Sequence, residues 1–179
     1  MVLYYGGALW LYLKSTNELL KLVNLAKHAP TGHNSQSVKW LVLGNKTELK
    51  HLSHRTVDWM RWMLKNKPDI ALSLNLERTI HRWEEGEDII LRDAPCVIVA
   101  HAAKDDRAAP TSGIIALTYL ELAAPSPDLG CCWAGYFNAA ATSFAPMMEA
   151  LPLPQDHHCI GSMMVGYPRF PYHLSLIHI

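Results

Sequence analysis

Apolar residues recur at helical spacing early in the chain, at Leu19, Leu20, Leu22, Val23, Leu25 and Ala26. Ser15 followed by Glu18 has the spacing of a reciprocal helix N-cap. Pro30 disfavours helix in the residue before it, so an amphipathic helix is expected to end near Ala29. Residues 31–37 are small or polar and read as a loop. Residues 38–43 form a short apolar run that predicts a strand, with Gly44 and Asn45 as its turn.

A second helical pattern covers residues 48–64. Its Trp59, Met60, Trp62 and Met63 read as core or dimer contacts, because aromatics dominate both environments. Residues 68–92 show no clean period and fit a mobile excursion over a site. A strand is expected at 96–101 after Pro95, and a helix at 111–124 with Pro110 near its start. Residues 125–130 read as a turn, and 138–151 as a helix interrupted near Pro146. A buried strand at 160–165 closes on Gly166-Tyr167-Pro168. No repeat, low-complexity tract or linker divides the 179 residues, so one layered α/β or α+β domain is expected.

Charge narrows the function classes. Sixteen basic residues balance sixteen acidic ones, which argues against a nucleic acid or an acidic membrane held mainly by charge. The apolar start, residues 1–13, has no basic leader and is shorter than the roughly 20 residues a span needs. A cytoplasmic protein is the expectation. Cys96, Cys131, Cys132 and Cys159 make no C-x-x-C pair and read as reduced, buried thiols.

Three segments carry candidate chemistry. In Ala29-Pro30-Thr31-Gly32-His33-Asn34-Ser35-Gln36, a hydroxyl and two amides offer donors and acceptors that suit the edge of a flavin ring. By composition alone an ordinary polar turn is the favoured reading. In Leu129-Gly130-Cys131-Cys132-Trp133-Ala134-Gly135-Tyr136, Gly135 can let backbone approach a planar ligand, or can simply bend a buried strand. In Gly166-Tyr167-Pro168-Arg169, the arginine can bind a phosphate or lie solvated on the surface. His51 with His54 is a minor candidate for a metal hydrolase, although no carboxylate completes a known spacing. A serine hydrolase lacks its G-x-S-x-G elbow.

Taken in this order, the three segments resemble the nitroreductase family over about residues 15–173, closest to the flavin half of iron–sulfur-fused members. The resemblance implies an α+β fold: a central mixed sheet flanked by helices, in an intertwined homodimer. It implies FMN at the dimer interface. Pro30, Thr31, Gly32 and Asn34 would reach the flavin from one subunit, with Gln36 supporting that loop. Ala134 and Gly135 would face the flavin from the other subunit, and Arg169 would sit near its phosphate. NAD(P)H would be the electron donor, and a nitroaromatic, quinone or similar small molecule the acceptor. A ferredoxin-type iron–sulfur partner or fused domain is a further expectation. No catalytic side chain is required, because the cofactor carries the chemistry.

The sequence departs from the family pattern in four places, one of them Pro127-Asp128, which interrupts a place where the family has an apolar-glycine turn. The arginine–serine–arginine cluster expected in the first dozen residues is replaced by an apolar run, and the first arginine is Arg55. Ser37 stands where the family has proline, and residues 174–179 are apolar where it has polar ones. Residues 1–14 and 174–179 are therefore atypical ends, as in a truncated or frame-shifted reading of a longer gene. A weakly flavin-binding, non-catalytic fragment is the alternative reading.

Overall fold

The computed structural model describes Trp10–Leu11 and residues 16–169. The atypical ends, and Ser15 of the expected cap, lie outside the described residues apart from Trp10 and Leu11, which form strand β1. Helix α1 (Thr16–Ala26) stops three residues short of Ala29. Its last turn tightens, with the His28 and Ala29 amides donating three residues back to Leu25 and Ala26. After the loop comes β2 (Lys39–Leu43), then α2 (Lys46–Asn66). Asn45, read as a turn residue, caps α2: its side chain accepts from the Thr47 and Glu48 amides at 2.9 and 3.2 Å.

The excursion at 68–92 is helical rather than loose. It holds α3 (Pro68–Ser73) and α4 (Leu76–Glu84). Ala71, Leu76 and Ile80 are buried in the same core as α2, and the Tyr136 hydroxyl donates to the Leu74 carbonyl at 3.3 Å. Beyond it lie β3 (Cys96–Ala103), α5 (Ala109–Ala123), β4 (Gly130–Trp133), α6 (Gly135–Ser143) and α7 (Ala145–Ala150). The interruption expected near Pro146 falls at Phe144, whose backbone is extended. The last strand, β5 (His157–Pro168), runs through Gly166-Tyr167-Pro168 instead of closing on it.

The fold is α+β. Strand β5 pairs with β3 and β4, β3 pairs with β2, and β1 pairs with the last two residues of β5. A mixed sheet was the expectation; every pairing among the described residues is antiparallel.

Strand β3 is buried on both faces and divides two cores. Cys96, Ile98 and Ala100 join Leu22, Leu117 and Leu120 of α1 and α5. Val97 and Val99 join Leu52, Met60, Phe137 and Met147 of α2, α6 and α7. Each such side chain contributes roughly 1.5–3 kcal/mol by leaving water. Trp59 and Met63 are buried with this second group, whereas Trp62 is 38% exposed.

Helix α5 lies very close to β5. A Cβ at Gly113 would stand 2.7 Å from the Ile160 Cγ2 atom, and one at Gly161 would stand 2.5 Å from the Leu117 Cδ1 atom. The ladder slips at this place: Ala100 pairs with Gly161, but His101 pairs with Cys159. Ile160 is thus the extra residue of a β-bulge, and its side chain fills the space that Gly113 leaves open.

Candidate functional site

The loop from Pro30 to Gln36 has unusual backbone. His33, Asn34 and Gln36 have φ of 53°, 53° and 49°, in the left-handed region that non-glycine residues seldom occupy. Internal bonds hold the shape. The Gln36 amide donates to Thr31 Oγ1 at 3.0 Å, and Gln36 Nε2 donates to Asn34 Oδ1 at 3.4 Å. Asn34 tolerates this conformation better than most residues because its short amide bonds locally. The side chains of His33, Asn34 and Gln36 remain exposed, so the loop presents polar groups outward.

Two contacts anchor this loop to the start of α5. The Gly32 amide donates to Ser112 Oγ at 3.2 Å across 80 residues of sequence. A Cβ at Gly32 would lie 2.7 Å from the Ala108 Cβ, so glycine is required here by packing within the chain. The Ser37 hydroxyl donates to the Asp106 carboxylate. The other Asp106 oxygen accepts from the Ala108 amide at 2.9 Å. These bonds, the Ser37 hydroxyl first, hold the Asp106 carboxyl below its usual range.

Ala134 and Gly135 stand at the end of β4. The Ala134 amide donates to the Ser162 carbonyl at 3.0 Å, which fixes the buried Ala134 on β5. Gly135 opens α6 and is exposed, and a Cβ there would meet none of the described residues within 4 Å. Among the described residues nothing packs against this position, so the space beside it is open. The first-turn amides of α6 have no partners within the helix and favour an electron-rich edge.

Arg169 lies past the last residue of β5. That end of the strand pairs with Cys96, whereas the loop at Gly32 packs where β3 has ended at Ala103. The eight rungs of that ladder span roughly 25 Å. One protomer therefore does not bring Arg169 and the 30–36 loop together. Gly135 is positioned between them along β5.

A polar pair at the same end of the sheet as the loop was not legible beforehand. His101 Nδ1 and His157 Nδ1 are 2.8 Å apart, with His101 buried. At this distance one nitrogen donates and the other accepts, so the pair carries opposite tautomers. Burial, then His157, then Lys39 push the His101 pKa below its ordinary value. Beside them Cys159 Sγ donates to Asn138 Oδ1 at 3.5 Å. Burial pushes the Cys96, Cys131 and Cys159 thiols up to about 12, which removes them as thiolate nucleophiles.

His54 of the candidate metal pair packs edge-on against Trp83, with ring centroids 5.1 Å apart. Among the described residues, no three His, Cys, Asp or Glu side chains converge as a metal site would need. No helix among the described residues is long and apolar enough to cross a membrane.

Comparison with known proteins places this geometry. No curated protein matches the chain. Solved structures do match in fold. A nitroreductase with bound FMN from Bacteroides fragilis superposes with a TM-score of 0.72 at 15% identity, over 98% of this chain and 92% of that one. A nitroreductase with bound FMN from Desulfitobacterium hafniense gives 0.72 at 20% identity, over 96% and 89%. Iodotyrosine deiodinase bound to FMN and 3-iodo-L-tyrosine gives 0.64 at 17% identity, over 96% and 92%. The model of the nitroreductase family matches residues 15–167, which take in the loop, α5, β4 and nearly all of β5, and the chain belongs to that family.

Proposed function

We propose that this protein is an FMN-dependent oxidoreductase whose flavin lies between two copies of the chain. The observation that carries the reading is Gly135: an exposed glycine at a helix start, beside space that none of the described residues fills. The strained, polar loop at His33, Asn34 and Gln36 supports it, because such backbone persists where binding geometry demands it. When bound, FMN would supply the hydride chemistry, taking electrons from NAD(P)H and delivering them to a nitroaromatic, quinone or similar acceptor.

The chain's own residues divide the work. Thr31 and Asn34 offer hydrogen bonds to the polar edge of the ring, and Gln36 holds the loop closed around them. Gly135 and the first turn of α6 accept the flat face and favour added negative charge. Arg169 serves the phosphate. Because the loop and Arg169 lie at opposite ends of β5, a complete site takes the loop from one copy and the Gly135–Arg169 side from the other. The outer face of α5 fits such a dimer. Ile114, Tyr119 and the 75% exposed Leu122 lie on it, with Trp133 near Ile114 at Gly161.

The visible spectrum of the purified protein, mixed with FMN and then NADPH under anaerobic conditions, tests the reading. Flavin bands that co-elute with a dimer and bleach on NADPH addition are expected. A monomer that leaves FMN in the flow-through would overturn it.

A further inference from the structure

A second recess lies away from the loop and Gly135, between the first half of α2 and the segment that follows α4. It is a groove of about 670 Å³, within the range of small-molecule sites. Leu49 and Leu91, both buried, form its apolar floor. Trp83 and His54 form a wall with their rings at right angles.

The polar groups of this groove are unequally used. Asp88 is saturated: its oxygens accept from the Ile90, Leu91 and Asp93 amides at 3.2, 2.9 and 3.0 Å. Glu87 is paired with Arg82. Lys46 and Lys50, one turn apart on α2, make no ion pair or hydrogen bond among the described residues. Asp93 sets a single uncommitted carboxylate against these two lysines. Ser53 lines the groove beside Leu49 and Lys50.

We propose that this groove is a binding site for a planar aromatic anion, separate from the flavin site and independent of the flavin reading. The ring lies against Trp83 over Leu49 and Leu91. The anionic group meets Lys46 and Lys50. Trp83 supplies the aromatic face, and the lysines select charge over a neutral ring of the same size.

The test uses 2-naphthoate and its uncharged counterpart 2-naphthylmethanol without added flavin, because FMN is itself a planar aromatic anion. Calorimetry gives the affinities, and the Trp83 indole N–H resonance reports the place of binding. The naphthoate is expected to shift that resonance and to bind roughly fivefold to tenfold more tightly than the alcohol. The double variant K46Q/K50Q, on exposed positions, is expected to erase that preference and leave the alcohol unchanged. Trp83→Leu is expected to weaken both probes. Equal affinities for the two probes, no shift at Trp83, or an unchanged preference in K46Q/K50Q would each overturn the proposal.

Discussion

Gly32 and Ala108 touch so closely that a methyl group on the glycine would stand 2.7 Å from the alanine's own. The loop with candidate flavin contacts is thereby seated on the first turn of α5. Gly32→Ala is expected to lower stability by about 1–3 kcal/mol, the usual range for overpacking. The double variant Gly32→Ala with Ala108→Gly is expected to recover most of the loss, because the clash needs both methyl groups. Thermal denaturation of the four proteins measures this, and additive losses would show that the contact is not the cause.

Ser37 and Asp106 give the same seat an acid dependence. Asp106 titrates below its ordinary value when folded, so its contribution is complete above that value, near pH 4. It is lost as pH falls through the lower folded pKa. Ser37→Ala removes the largest cause of the shift. Wild type is expected to exceed the variant in melting temperature at pH 7, with the gap closing below pH 4. A gap that stays constant from pH 7 to pH 3 would contradict the assignment.

His101 acts in a different window. Its folded pKa lies below the ordinary 6.5, through burial first and His157 next. The unfolded chain then binds the extra proton first on acidification, so stability falls as pH drops below about 6.5. His101→Gln is expected to flatten the stability profile between pH 7 and 5. Denaturant midpoints across that range, with the imidazole titration followed by NMR, check the sign. A profile as steep in the variant as in wild type would remove His101 as its source.

Arg169 bears on the phosphate, under the proposed flavin reading. FMN and riboflavin differ by that phosphate alone, so their ratio of dissociation constants isolates it. Arg169→Ala is expected to reduce the preference for FMN by about tenfold, as loss of one charge-assisted contact would. Titration of both flavins by fluorescence quenching measures it, and an unchanged preference would assign the phosphate to another residue.

What the sequence made legible was local. The helical repeat at 48–64 marked α2, and Trp59, Met60 and Met63 are in its core. The apolar run after Pro95 marked β3 because a strand buried on both faces has no alternation to hide it. The 68–92 segment stayed unread because α3 and α4 are short and their apolar residues split between core and surface. Gly166-Tyr167-Pro168 looked like a terminator, yet its residues find partners in β4 and β1. Pairing of that kind is non-local and leaves no trace in neighbouring residues. The seat of the loop was hidden for the same reason. Gly32 suggested a close approach, but nothing near it named Ala108 or Ser112 as the surface approached.

The bulge at Ile160 also says how the chain can change length. Because Ala100 and His101 pair with Gly161 and Cys159, residue 160 is surplus to the ladder. A chain lacking it would keep every other rung and the facing of every other side chain. Gly113 would lose its neighbour, leaving a void where Ile160 had been. Residue 113 would then be free to carry a methyl group. A one-residue deletion in the strand and a glycine-to-alanine exchange in the helix thus form a compensating pair. Among relatives, the presence of residue 160 and the identity of residue 113 should be inherited together.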